Sequence, residues 1–163
     1  MKRSPLQIEN YFLRELSFKI NEDYNENEPM GDFPKGFQHM TDFFCYDESS
    51  HKWQCILGLR YSPREGDNNP YSFSIVLVGY FTVDANVPDR EVEEKLIHAN
   101  APAVLYTIAR EMLSSTSARA RWGRINLPTV YFPAVTSKND KERIKKVLSK
   151  QSTSTKKKKN IKK

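Results

Sequence analysis

Apolar residues recur at every second position in four stretches of the first half of the chain, and at three- and four-residue spacing in the second half. From 6 to 20, Leu6, Ile8, Phe12, Leu16, Phe18 and Ile20 form a mostly apolar set, interrupted by Asn10 and Arg14, with Gln7, Glu9, Glu15, Ser17 and Lys19 between them. That period predicts one long strand with a single buried face. Two further stretches, 38–46 and 51–61, are joined by Asp47-Glu48-Ser49-Ser50, and the second sets Trp53, Cys55, Leu57, Leu59 and Tyr61 on one side. Together they predict a hairpin. A fourth strand is expected over 71–83, where Tyr71, Phe73, Ile75, Leu77, Phe81 and Val83 share a face. Its second half is also apolar on the other face, through Val76, Val78 and Tyr80, so it has to be covered from both sides, by a helix of this chain, a subunit or a ligand.

After Pro88 the period becomes helical. A short charged piece around Val92 and Leu96 is expected first, then a longer helix from near Asn100-Ala101-Pro102, because proline suits a first helical turn. Val104, Leu105, Ile108, Met112 and Leu113 mark its packing stripe, and the small residues 114–118 would let another helix approach closely. Gly123 and Pro128 end the helix and start an extended crossing over 125–135 that carries Leu127, Val130, Tyr131 and Phe132. A last amphipathic helix is marked by Asn139 as a cap and by Ile144, Val147 and Leu148. Between the first two strands, 21–36 is acidic, with asparagines, Gly31, Pro29 and Pro34, and reads as an exposed loop. Beyond Ser149 no apolar period remains. The expected organisation is one α+β domain over 1–150 and a disordered lysine-rich tail over 151–163.

Charge changes the picture of the partners. The chain's net +6 is uneven: from 138 to 163, eleven lysines and Arg143 stand against Asp140 and Glu142, a net +10, which leaves residues 1–137 at −4. Body and tail therefore call for separate partners. The longest apolar run, 75–81, is too short for a membrane-spanning helix, and Met1 to Pro5 lead into no apolar stretch, so no membrane insertion and a cytoplasmic location are expected. Cys45 and Cys55 lack metal-ligand spacing and are expected to be reduced core residues. His39, His51 and His98 are scattered, and there is no phosphate loop and no Gly-x-Ser-x-Gly turn. Neither catalysis nor a metal or cofactor is expected. Arg119, Arg121, Trp122 and Arg124, with Lys156, Lys157, Lys158 and Lys159, have the chemistry to stack on and neutralise nucleic acid. Short basic clusters are more often solvated faces, so nucleic acid is not expected as the primary partner.

The order long strand, acidic loop, hairpin, double-faced strand, long helix, extended crossing, short helix resembles the SecB family of export chaperones. Leu6-Gln7-Ile8 with Leu16-Ser17-Phe18 is similar to the family's first strand, and Gly79-Tyr80-Phe81-Thr82-Val83 to its fourth. Ala101-Pro102 through Tyr106, Ala109-Arg110-Glu111 and Ser115, then Arg124-Ile125-Asn126-Leu127-Pro128 and Phe132, resemble its long helix and crossover. The resemblance implies a four-stranded antiparallel sheet packed by the long helix and a shorter C-terminal helix. It further implies sheets paired through their first strands into dimers, and dimers stacked through their long helices into a homotetramer. Non-native clients would lie, without nucleotide, in an apolar groove, for which Val78, Tyr80, Phe81, Leu127, Val130, Tyr131, Phe132, Ile144 and Leu148 are the candidates. Aromatic and leucine residues in strands are core more often than ligand sites, so the groove rests on the resemblance. The family's handover partner SecA reads acidic positions; Glu15 matches one, whereas Lys19, Ser72, Ser74 and the basic tail depart from the pattern. Some SecB-like proteins instead guard an antitoxin, the alternative client.

Overall fold

The computed structural model describes residues 3–29, 36–64 and 66–133. The expected last helix, with Ile144, Val147 and Leu148, and the lysine tail lie outside the described residues. Four strands, β1 (Leu6–Ile20), β2 (Phe37–Asp47), β3 (Lys52–Tyr61) and β4 (Tyr71–Val83), precede one helix, α1 (Arg90–Ser117). All pairings are antiparallel, in the order β1-β4-β3-β2, so the double-faced β4 and the apolar β3 take the centre and β1 and β2 the edges. That placement follows from composition, because a strand apolar on both faces loses most by standing at a wet edge. The turn between β2 and β3 is built by Asp47, whose Oδ1 accepts from the backbone N–H of Ser49 (3.1 Å) and of Ser50 (3.2 Å), and by His51 in the left-handed region at φ 52.

One face of the sheet carries Trp53, Cys55, Leu57, Leu59 and Tyr61 from β3 and Phe73, Ile75, Leu77, Phe81 and Val83 from β4, all buried beneath α1. The helix meets it with Ile97, Ala101, Leu105, Ala109 and Leu113, a stripe at four-residue spacing, while Val104, Ile108 and Met112 pack half-buried beside it. Gly79 lies where helix and sheet are in close contact: a Cβ there would stand 2.8 Å from Leu105 Cδ2 and 2.7 Å from Phe81 Cε2. The N-terminus of α1 is fixed by Asp89, whose Oδ1 accepts from Val92 N–H at 2.9 Å, and by Glu93. The buried Glu93 carboxylate accepts a hydrogen bond from the Trp53 indole N–H and lies 3.1 Å from His51 Nδ1, while the Arg90 guanidinium sits 4.3 Å over the Trp53 ring.

Two expectations are corrected. The helix does not begin at Pro102; it runs unbroken from Arg90 to Ser117 with Pro102 inside. Pro102 removes the N–H that would donate to His98, yet Ile97 and Ala101 before it and Leu105 after it are buried in one stripe, and this shared packing holds both halves on one axis. The first strand does not keep a single period either. Register shifts between Ile8 and Asn10 and between Leu13 and Glu15 each insert a residue. They bring Tyr11 and Leu13 to the helix side with Leu6, Ile8, Leu16, Phe18 and Ile20, and turn Phe12 to the opposite face across from Val78.

Candidate functional site

A single helix cannot cover the whole sheet, and besides Val92 on α1, large apolar side chains stay in water in three places. Along the β1 edge, on the helix side, Ile8, Tyr11, Leu13, Leu16 and Ile20 are exposed. On the face away from the helix, Phe12, Met40, Phe44 and Tyr46 are exposed around the central Val78. Tyr80 joins them, its ring 6.2 Å from Phe12 and 5.8 Å from Tyr46, its hydroxyl 3.1 Å from Gln54 Nε2. On the crossover, Tyr131 is 83% exposed. Isolated apolar residues on a surface are ordinary; contiguous groups of this kind mark interfaces or binding grooves.

The crossover after α1 is held down by specific contacts. Ser117 is buried, and its Oγ accepts from Ile125 N–H at 2.8 Å, so one of the small residues closes the helix onto the crossover. The Tyr106 hydroxyl donates to the Pro128 carbonyl at 2.6 Å, and burial pushes this phenol's pKa up. Phe132 packs edge-on against Tyr106 at 5.9 Å and against His39 of β2 at 5.8 Å, and Val130 rests half-buried on the core.

The groove candidates are thus distributed over both faces. Leu127 and Phe132 are buried under the crossover, Val130 is half-buried and Tyr131 open; Phe81 is fully enclosed between sheet and helix, whereas its neighbour Tyr80 and Val78 belong to the opposite face. Ile144 and Leu148 lie outside the described residues. Met40, Phe44 and Tyr46, which the sequence reading did not single out, complete the opposite face with Phe12, which it had placed on the buried one; for Phe44 the signal was present, a second aromatic beside Phe43 in an alternating strand. Glu15 is exposed on that face opposite Val76. Arg121 pairs with Glu22 at 3.6 Å and stacks on Trp122 at 4.4 Å, and Trp122 donates its indole N–H to Asn21 O (3.1 Å) and meets Tyr24 edge-on at 5.2 Å. This cluster therefore fastens the acidic loop, while Arg119 and Arg124 stay exposed. Lys156 to Lys159 lie outside the described residues. Cys55 is buried, its thiol pKa pushed up to about 12 by burial, and Cys45 is half-buried beside Arg90. Among the described residues no three His, Cys, Asp or Glu side chains cluster as metal ligands, and no helix is long and apolar enough to cross a membrane.

A four-stranded antiparallel sheet with one helix across one face and an extended crossover is a SecB-like fold. The family model for SecB, preprotein translocase subunit SecB, matches residues 1–143, and the chain belongs to this family. Among solved structures it is similar to the Mycobacterium tuberculosis Rv1957 SecB-like chaperone in complex with a ChAD peptide from the Rv1956 HigA1 antitoxin. The TM-score is 0.56 at 10% identity, over 77% of this chain and 88% of that one. A protein of unknown function from Streptococcus agalactiae is similar at a TM-score of 0.43 and 16% identity, over 76% of this chain and 97% of that one. No curated protein matches the sequence significantly.

Proposed function

We propose that this protein is a chaperone that holds unfolded polypeptide segments by burying their apolar side chains, without nucleotide, and keeps them competent for export. The observation that carries the reading is the apolar surface left open on a sheet whose core is already closed: Phe12, Phe44, Tyr46 and Met40 on the face away from the helix. Removing such surface from water stabilises a complex by about 25 cal/mol per Å² with no requirement for a particular sequence, which suits many clients. The pinned crossover, with Tyr131 open and Leu127 and Phe132 anchoring it, supports a groove along its edge. The strip on β1 supports pairing of two copies through their first strands, as the family resemblance implies, with the homotetramer built from two such pairs in the cytoplasm.

The test is suppression of aggregation of an unfolded, apolar-rich protein in nucleotide-free buffer. Paired Phe44→Asp and Tyr131→Asp substitutions, both at open positions, are expected to weaken it several-fold with unfolding unchanged, since a charged carboxylate in an apolar contact costs several kcal/mol of desolvation. Full activity in the double variant refutes the reading. A second reading, a chaperone dedicated to one antitoxin, is favoured by the M. tuberculosis protein holding an antitoxin peptide. It predicts that the chain protects one antitoxin encoded beside it and leaves general clients to aggregate. Delivery to SecA is supported only by Glu15, among Lys19, Ser72 and Ser74, and would show as loss of SecA binding in Glu15→Lys.

A further inference from the structure

On the face of the sheet away from the helix, two hollows adjoin. One, of about 350 Å³, lies over Gly58 between Met40 and Val76; the other, of about 320 Å³, is lined by Glu15, Ser17, Lys19 and Ser72, and Arg60 and Ser74 belong to both. Strand register sets the arrangement. Met40, Gly58, Val76 and Glu15 stand in one row across β2, β3, β4 and β1, and Gln38, Arg60, Ser74 and Ser17 in the next. Gly58 brings no side chain to the first row, so Met40 and Val76 flank an apolar depression. The second row lies two residues further along the strands, about 7 Å away, because a strand rises about 3.3 Å per residue.

Lys19 on β1 and Arg60 on β3 are exposed and stand on either side of Ser72 and Ser74 on β4. Among the described residues neither cation makes an ion pair or a hydrogen bond, and the hydroxyls of Ser17, Ser72 and Ser74 make no hydrogen bond either. Adjacent strands are about 4.8 Å apart, so a group over β4 lies about 5 Å to the side of each flanking strand, within reach of both long side chains. An isolated surface lysine is a solvated charge. Two cations and three hydroxyls converging on one place leave a surplus of donors that an anion satisfies. Among the described residues Glu15 is the only acid in the lining, which sets two positive charges against one negative. A carboxylate, with its single charge, suits that balance; a phosphoryl dianion would be set against Glu15.

We propose that the two hollows form one docking site for an extended partner segment that carries an acidic side chain two positions from an apolar one. The apolar side chain lies between Met40 and Val76, and the carboxylate lies over β4 between Lys19 and Arg60, accepting from the serine hydroxyls. The proposal rests on the reading of this face as one that holds unfolded polypeptide, and adds a charge and a spacing to binding by apolar burial. The spacing follows from matched periods: in an extended segment side chains i and i+2 point the same way, about 7 Å apart, which is the separation of the two rows, whereas i and i+1 point to opposite sides. Charge complementarity decides the occupant. A basic segment would be repelled by Lys19 and Arg60, and an uncharged one would leave both unpaired.

The experiment titrates short peptides into the full chain by calorimetry at low salt. Their centre reads Leu-Ser-Leu-Ser-Asp, the same with Asn for Asp, or Leu-Ser-Leu-Asp-Ser, within identical uncharged flanks. The first peptide is expected to bind about three- to tenfold more tightly than the asparagine peptide, a preference that shrinks as salt is raised, and moving the acid by one position is expected to remove it. With Lys19→Gln and Arg60→Gln combined, the preference is expected to fall to about one while the asparagine peptide binds as before. Equal affinity for the aspartate and asparagine peptides in the unaltered protein overturns the proposal, with no variant needed. So does a preference that survives the double variant or follows the acid to its shifted position. A phosphoserine peptide bound more than tenfold tighter than the aspartate one assigns the site to phosphoryl groups, and a changed native mass of the double variant assigns the face to a contact between copies; either result overturns the proposal. Aggregation suppression with no acidic preference sinks this proposal alone, whereas absence of both peptide binding and suppression sinks the chaperone reading with it.

Discussion

Removal of the Glu93 carboxylate tests how α1 is held on the sheet, and through α1 the crossover. Glu93 is 3% exposed and its carboxylate engages Trp53, His51 and Arg90. In Glu93→Ala the indole N–H of Trp53, in a residue only 4% exposed, loses its acceptor. Leaving that donor buried and unpaired costs about 1–3 kcal/mol. The other two contacts weigh less. The side chains of His51 and Arg90 are 32% and 40% exposed, and Arg90 stands 3.7 Å away, so solvent screens both, and each adds at most about 0.5 kcal/mol. The expected loss is about 1–4 kcal/mol, dominated by the indole. Glu93→Gln keeps an acceptor oxygen for Trp53 and is expected to recover at least half of it. Reversible denaturant unfolding followed by tryptophan fluorescence measures both variants. An alanine variant within about 0.5 kcal/mol of the parent refutes the reasoning, since surface substitutions typically fall within that range, and so does a glutamine variant as damaged as alanine.

Gly79→Ala places a methyl against Leu105 and Phe81 between helix and sheet and is expected to cost about 1–3 kcal/mol in the same assay; an unchanged midpoint would mean that the helix can lift freely. The thiol of Cys55 is raised from 9.0 to about 12, so at pH 8 a soluble alkylating reagent is expected to modify Cys45 alone, and mass spectrometry finding Cys55 modified in the folded protein would contradict its burial. Because the folded-state value lies above the unfolded one, Cys55 contributes its stability in full below pH 9 and loses it as pH rises toward about 12, so Cys55→Ala is expected to flatten the alkaline fall in stability. Deleting 151–163 removes six lysines and no acid, taking the chain's formal charge from +6 to zero; affinity for apolar peptides is expected to hold while binding to anionic partners weakens and loses its salt dependence, and the reverse pattern would assign the tail to client binding.

Much of the fold was legible in the chain because alternation and helical spacing are local properties. β1 and β4 occupy the stretches 6–20 and 71–83 that period-two patterning marked, and the polar run at Asp47 turns β2 into β3. The double-faced apolar character of β4 announced a strand that needs covering from both sides, and the order of elements announced the SecB family. The crossover residues Leu127, Val130 and Phe132 were visible as apolar positions in an extended segment.

What the tertiary structure decided depends on segments far apart in sequence. Phe12 changes faces because two register shifts fit β1 to the twist and side chains of β4, and no local rule fixes where an extra residue will be accommodated. Pro102 reads locally as a helix start, but Ile97, Ala101 and Leu105 gain more from packing on the sheet than the missing hydrogen bond costs. Phe81 and Tyr80 are neighbours of similar chemistry, and only the helix above one of them separates core from surface. Tyr24 and Trp122 lie far apart in sequence, and their edge-on contact arises only where the acidic loop and the crossover meet at the same end of the sheet. A period is written in neighbouring residues, whereas a pocket exists only where distant ones meet.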